Sequence, residues 1–428
     1  MMTNPDLPTI ENVEQYIQDI ATAAKAAGRV VAAASTAMKN QALLEAARRL
    51  RALKANIQSQ NHLDLTAGRD KGLSSAMLDR LELNDKRIEG MAVMLEEVAA
   101  LPDPVGEITD MRTRPSGIQV GRMRVPLGVV GMIFESRPNV TVDAAALCLK
   151  SGNGCLLRGG SEAIHSNVAL ARLLQATLND CGLPKEAVTF VETTDRAAVQ
   201  TMCKLQGKLD VIIPRGGKAL IEAVVEAATI PVLKHYDGNC HVYVHADANL
   251  EMALDICINS KTQRTGVCNA AESFIVHQDI AQQFMPRLLA EMKQHEVEVR
   301  GCKRTRAFDS SIKAATDDDW YAEYLDKIVA IKIVDSFDGA VDHIEVYGSK
   351  HTDAIVTESY AMARRFIREV DSSSVMVNAS TRFSDGGEYG LGAEMGISTD
   401  KLHARGPMGI VELTCQKFIV FGDGTVRE

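Results

Sequence analysis

Residues 128–158 read GVVGMIFESRPNVTVDAAALCLKSGNGCLLR. Gly128–Phe134 and Cys155–Leu157 are short apolar runs, and Thr141–Lys150 between them has the length of a helix. A run too short for a helix and unbroken by polar residues suits a strand covered on both faces, as in a parallel sheet. The pattern continues with Val188–Val191, Val211–Ile213 and Pro231–Leu233 as strands. Ser161–Cys181, Arg196–Leu205 and Gly217–Ala228 are the helices between them. Strand and helix in alternation predict a parallel sheet wrapped by helices.

Upstream, Ile10, Val13, Ile17 and Ile20 step by three and four along one helix face. Leu43, Ala47, Leu50 and Ile57 form a second stripe, and Ile88, Met91, Leu95 and Val98 a third. Gly117–Val125 alternates apolar and polar residues like a half-exposed hairpin arm. Downstream, Val242–Val244, Ser273–Val276, Ile328–Ile333, Ala354–Val356 and Val375–Val377 form a second strand series, interleaved with helices at Ala281–Gln294 and Ser359–Arg368. Cys415–Phe421 closes the chain as a β-rich segment. Two α/β domains are expected.

With 428 residues the chain can bury a sizeable core without disulfide or metal staples. Its 47 Lys+Arg against 56 Asp+Glu argue against a dedicated nucleic-acid binder, which needs clustered cations for counterion release. No apolar stretch approaches a membrane span. The stretch MMTNPDLPTIENVEQ has neither a basic leader nor an apolar segment, so a soluble cytoplasmic protein is expected. Nine cysteines with no C-x-x-C pair make a poor disulfide framework and predict no metal centre.

The dinucleotide fingerprint after a first strand, Walker A and G-x-S-x-G are all absent. Two glycine pairs follow strands, in Arg158-Gly159-Gly160-Ser161 and Arg215-Gly216-Gly217-Lys218. Each reads equally as a phosphate cradle at a helix N-terminus or as an ordinary strand-to-helix turn. Lys261-Thr-Gln-Arg264-Thr-Gly-Val-Cys268-Asn269 is the densest polar cluster, placed between basic residues and an expected helix start. Cys268 there reads either as a thiolate favoured by its cations or as an inert buried thiol. Glu135-Ser-Arg137-Pro-Asn139 lies at the carboxyl end of a strand, where open α/β sheets bind ligands. Arg382–Gly392 is a glycine-rich polar loop that spacing alone leaves as a long turn.

Taken together, the stretches Phe134-ESRPNVTVDA, Leu157-RGGSEA, Ile212-IPRGGKAL, Lys261-TQRTGVCNAAE, Val346-YGSKHTDAIV and Ser380-TRFSDGGEYGLGAEMGISTDKLHARGPMG resemble one family. It is the gamma-glutamyl phosphate reductases (glutamate-5-semialdehyde dehydrogenases) of the aldehyde dehydrogenase superfamily. Thr265 stands where that family usually has Pro, and Ser161 where it usually has Lys.

The resemblance implies an aldehyde dehydrogenase-like α/β fold with two Rossmann-like parallel-sheet domains and a small β oligomerisation element. Residues 1–107 and 127–238 would bind nucleotide, 239–408 would carry the nucleophile, and 108–126 with 409–428 would form the oligomerisation hairpin and strand. It implies NADPH-dependent reduction of L-glutamate 5-phosphate to the semialdehyde, the second step of proline biosynthesis from glutamate. Cys268 would form a thioester, and the Asn139 amide with the Cys268 N–H would hold the oxyanion. Arg158, Gly159, Gly160, Arg215, Gly216, Gly217 and Glu323 would contact the cofactor. Arg137, Lys261 and Arg264, with Arg382 a weaker candidate, would hold the doubly anionic substrate, unless they form structural ion pairs with Glu135 or Glu272. Hydrolytic relatives carry a water-activating glutamate in a segment that here reads His235-Tyr-Asp-Gly-Asn239, without one. Expected partners are a second copy of the chain and the glutamate 5-kinase that makes the acyl phosphate. Two competing readings are a nucleotide-independent cysteine acyltransferase or hydrolase and a non-catalytic scaffold.

Overall fold

The computed structural model describes residues 7–427, so the first six residues of the N-terminal stretch quoted above and Glu428 lie outside the described residues. The chain forms two compact units. One takes the chain up to Lys234, Leu391–Gly396 and the segment from Met408; the other takes His235–Gly390 and Ile397–Pro407. The junction falls four residues before the expected one after residue 238, which puts His235 and Gly238 into the unit that contains Cys268.

In the first unit four parallel strands lie in the order Val188–Phe190, Gly154–Arg158, Val129–Phe134, Val211–Arg215. Every residue of Val129–Phe134 is buried, as a strand covered by helices on both faces requires. Ile17, Ala21 and Ala24 of the helix Val13–Ala32 pack in one core with Val129, Ile133 and Leu156. The stripe through Leu43 and Ile57 belongs to two helices, Thr36–Ala52 and Lys54–Asp70, which break at Leu53. Pro231–Leu233 is not a strand. It makes one bridge, Ile212 to Val232, because two backbone bonds to Ile212 exhaust its pairing.

The chain steps from Val129–Phe134 to Gly154–Arg158 and Val188–Phe190, then crosses to Val211–Arg215 on the other side. Such a reversal opens a crevice at the carboxyl ends of the two strands that flank it. Glu135, Arg137, Arg215 and Gly216 all lie at that edge.

In the second unit seven parallel strands run in the order Lys313–Ala314, Glu298–Gly301, Ile328–Val334, Ala271–His277, Cys240–Val244, Thr352–Val356, Ser374–Val377. Successive strand residues feed opposite faces. Val242 and Val244 join a core with Phe284 and Leu288 of the helix Gln278–Gln294, while Tyr243 joins Phe337, Ile344 and Phe366. The helix Leu250–Thr262 was not expected from the sequence, although Asn249 caps it by accepting from Met252 N–H.

The expected hairpin and C-terminal strand form a three-stranded antiparallel sheet in the first unit, Ile108–Thr113, Gln119–Pro126 and Thr414–Phe421. Among the described residues no helix is long and apolar enough to cross a membrane.

Candidate active site

Cys268 lies in the link between the helix Leu250–Thr262 and the strand Ala271–His277. The expected helix start after it is therefore absent: a strand follows, and the helix precedes it. With no helix N-terminus at Cys268, electrostatic support for a thiolate would have to come from cations.

The site assembles at the amino edge of the second unit's sheet. Cys240 opens its strand, while Cys268 and Asn269 precede Ala271–His277, and His351 precedes Thr352–Val356. Residues far apart in sequence meet because each lies where the chain enters a neighbouring strand. Cys240 Sγ donates to the Cys268 carbonyl at 3.1 Å. Asn269 Nδ2 donates to the carbonyls of Ser384 at 2.9 Å and Arg382 at 3.4 Å, which ties the Cys268 loop to the loop 380–385. Ser384 Oγ and Ser374 Oγ are 3.0 Å apart, so that loop folds back onto the sheet.

The cations divide into two groups. Lys261 is fully buried and ion-paired with Glu272, itself 1 % exposed. Glu272 Oε1 also accepts from Leu325 N–H at 3.1 Å. Burial pushes Glu272 up to about 7 and lowers Lys261, so desolvation outweighs their attraction. This removes Lys261 from the expected substrate-binding set: its charge is spent on a buried carboxylate. Arg264 is exposed. Arg382, half-buried, donates from Nε to Gln263 Oε1 at 2.9 Å. Burial and then the Arg264 charge lower the Arg382 pKa, while Asp385 and Cys268 oppose them. Two guanidiniums that repel each other are an arrangement that a bound anion would relieve.

Gly238 N–H donates to Glu323 Oε1 at 2.8 Å. A Cβ on Gly238 would sit 1.9 Å from the Cys268 carbonyl oxygen, so only glycine fits against the Cys268 backbone. Glu323 thus anchors the loop beside Cys268, and one of its oxygens is already engaged.

In the first unit, Asn139 opens the helix Asn139–Lys150 and its Nδ2 donates to Asp143 Oδ2 at 2.8 Å. Asp143 was missed, although a partner four residues along an expected helix is a legible spacing. Burial pushes Asp143 up to about 6, against the pull of Arg215, Asn139 and Arg137 and with a push from Glu394. Its folded pKa lies above its ordinary 3.8. Its stabilising contribution is therefore complete below that value and lost as pH rises through about 6. Asp143→Asn is expected to gain stability relative to the parent chain as pH climbs from about 4 to about 7. Urea midpoints across that range check it, and parallel curves refute it.

At the carboxyl edge of the same sheet, Arg158 Nη2 donates to Thr194 O at 3.3 Å, and its buried Nε has no protein partner. Burial lowers the Arg158 pKa, the Glu162 and Glu135 carboxylates oppose it, and the Arg196 charge adds to it. An orphaned donor beside a second cation suits a phosphorylated ribose. Gly159 and Gly160 form the turn before the 3-10 segment Ser161–Ala163. Arg215 ends its strand 4.0 Å from Glu394. Gly217 N–H at the next helix start donates to Glu135 Oε2 at 2.9 Å, and a Cβ on Gly216 would strike that carboxylate. A pyrophosphate at this N-terminus has to displace Glu135. Ser136, with φ +45°, holds this turn in the left-handed region that non-glycine residues rarely adopt.

The model of the aldehyde dehydrogenase family matches residues 9–305. The gamma-glutamyl phosphate reductase of Halothermothrix orenii is 56% identical over 419 residues, covering 98% of this chain and 100% of that one. The crystal structure of the Thermotoga maritima gamma-glutamyl phosphate reductase matches with a TM-score of 0.94 at 46% identity, over 96% of this chain and 100% of that chain. The Saccharomyces cerevisiae enzyme of the same name matches with a TM-score of 0.54 at 29% identity, over 96% of this chain and 98% of its own.

Proposed function

From the premise that this chain belongs to the aldehyde dehydrogenase family, and within it to the gamma-glutamyl phosphate reductases, we propose that it reduces L-glutamate 5-phosphate to the 5-semialdehyde and phosphate in proline biosynthesis. The observation that carries the reading is Cys268 in a loop that Asn269 ties to the carbonyls of Arg382 and Ser384, with Arg264 four residues before it.

The Cys268 thiolate attacks the acyl carbon, the carbon–oxygen bond to phosphate breaks, and phosphate leaves with the electron pair, giving a thioester. Arg264 and Arg382 neutralise the departing phosphate. The Asn139 amide, oriented by Asp143, and the Cys268 N–H stabilise the oxyanion. NADPH, when bound, supplies the hydride that reduces the thioester. Collapse of the thiohemiacetal then releases aldehyde and restores the thiolate. Arg158, with Arg196 beside it, fits the phosphate that distinguishes NADPH, and Gly159, Gly160, Arg215, Gly216 and Gly217 border the rest of the nucleotide. Glu323 would hold the nicotinamide ribose, and Arg137 the far end of the substrate.

The strand Thr414–Phe421 lies at its sheet's edge and exposes Phe418, Val420 and Phe421 by 68, 57 and 56 %. Pairing with a second copy covers such an edge. The reading also implies a cytoplasmic enzyme supplied by the glutamate 5-kinase.

The test runs the reaction backwards. The protein should form NADPH from semialdehyde, phosphate and NADP⁺, and only when all three are present. Thioester turnover to water or another acceptor without nucleotide would favour the acyltransferase or hydrolase instead. In the same assay Arg264→Gln is expected to raise the phosphate KM with the semialdehyde KM little changed. The opposite split moves Arg264 to the carboxylate end. Asn139→Ala is expected to lower kcat about 100- to 1000-fold, roughly 2.7–4 kcal/mol, with nucleotide affinity little changed. An unchanged kcat with a raised KM makes Asn139 a binding residue.

A further inference from the structure

Cys268, His235 and His351 each present one donor atom, and the three lie within 4.8 Å of one another. The His351 ring is fully buried, and its Nε2 has no hydrogen-bond partner in the protein. Its Nδ1 lies 2.8 Å from the Thr352 hydroxyl, which can accept the ring proton and leave the lone pair on Nε2. His235 Nδ1 lies 2.9 Å from the Ile397 carbonyl, a contact that needs the proton on Nδ1 and again leaves Nε2 as the acceptor. A backbone carbonyl or hydroxyl on the far nitrogen is how metal-binding histidines are oriented.

We infer that this trio is a binding site for a thiophilic divalent cation of the zinc class. One thiolate and two imidazoles with no carboxylate select such a metal over Mg²⁺ or Ca²⁺, which take oxygen ligands. Tetrahedral zinc needs ligand atoms about 3.4–3.6 Å apart, so the trio, which lies within 4.8 Å, has to contract by no more than about 1.4 Å. Cys268 and His235 are half-buried on irregular segments and can rotate, whereas His351 is fixed. Arg264 and Arg382 oppose any cation held by charge alone and leave the thiolate–metal bond as the main attraction. On binding, the Cys268 thiol releases its proton to solvent, the metal sheds water, and no electron is transferred. The fourth position stays open to water.

Binding stands on geometry alone. Inhibition rests on the proposed role of Cys268, because the metal and the acyl carbon need the same sulfur lone pair.

The full chain, stripped with EDTA and desalted, is titrated with Co²⁺ and then with competing Zn²⁺. One equivalent of Co²⁺ should give a thiolate-to-metal charge-transfer band that Zn²⁺ removes. Cys268→Ser should lose the band, and His235→Gln or His351→Asn should weaken Zn²⁺ binding roughly tenfold or more. If His351→Asn does not fold, His235→Gln decides. One equivalent of Zn²⁺ should also slow iodoacetamide labelling of Cys268, read by mass spectrometry. A band that survives Cys268→Ser, unprotected Cys268, or unchanged affinity in the histidine variants overturns the site. Zn²⁺ that protects Cys268 without inhibiting turnover upholds the site and overturns the catalytic reading of Cys268.

Discussion

Cys268→Ala is expected to abolish reductase turnover, by about 10⁶-fold on the scale seen when a covalent nucleophile is removed, while the chain folds as before. No other route to the thioester exists once Sγ is gone. The nearest thiol, Cys240, is fully buried, donates to the Cys268 carbonyl, and is pushed well above its ordinary pKa by burial. It stays a protonated structural thiol. Cys268 is half-buried in a loop that Asn269 holds through its own side chain, so removing one sulfur leaves those anchors intact. Cys148 and Cys155 are the controls. Both are fully buried, and truncation there opens a cavity that costs stability before activity. Steady-state turnover with thermal unfolding of all three variants separates the two effects. A Cys268→Ala protein with ordinary turnover ends the thioester mechanism.

Lys261→Met is expected to destabilise the second unit by about 3–5 kcal/mol near neutral pH, the usual effect of stranding a buried charge. The residue left behind is Glu272, whose Oε1 still accepts from Leu325 N–H but whose other oxygen loses its cation. Burial already pushes Glu272 up to about 7 from its ordinary 4.5, and removing Lys261 pushes it further. For a raised carboxyl the stabilising contribution is complete below the unfolded value and lost as pH rises through the folded one. The variant should therefore be least destabilised near pH 5 and most near pH 8. Adding Glu272→Leu should recover most of the loss, because the pair's net worth is small once both charges are gone. Denaturant unfolding across pH reads this directly. Ordinary stability with a raised substrate KM would return Lys261 to the substrate site.

The difference between Lys261 and Arg382 shows where sequence reasoning reaches its limit. Lys261 and Arg264 lie close to Cys268 in sequence, and both are cationic, so spacing ranks them together. The sheet separates them. Lys261 lies in the last turn of a helix and turns inward to Glu272 on the following strand, whereas Arg264 is exposed and its charge is felt by Arg382, more than a hundred residues away. His351 stood within a quoted motif but had no role until the amino edge of Thr352–Val356 was placed beside that of Cys240–Val244. Pro231–Leu233 had the composition of a strand but pairs only with the edge residue Ile212. Short apolar runs do not reveal how many partners they will find.

By itself the sequence determined the alternation of strands and helices and singled out Cys268, Asn139 and Arg264 as candidates for the chemistry. Strand burial and motif residues are local properties, carried by residue type and by spacings of a few positions. Only the tertiary structure decided which cation is spent on a buried carboxylate and which is left for an anion. It also brought two histidines to Cys268 and set Asp143 beside Asn139. Those outcomes depend on strand order and on desolvation, and both are set by neighbours distant in the chain.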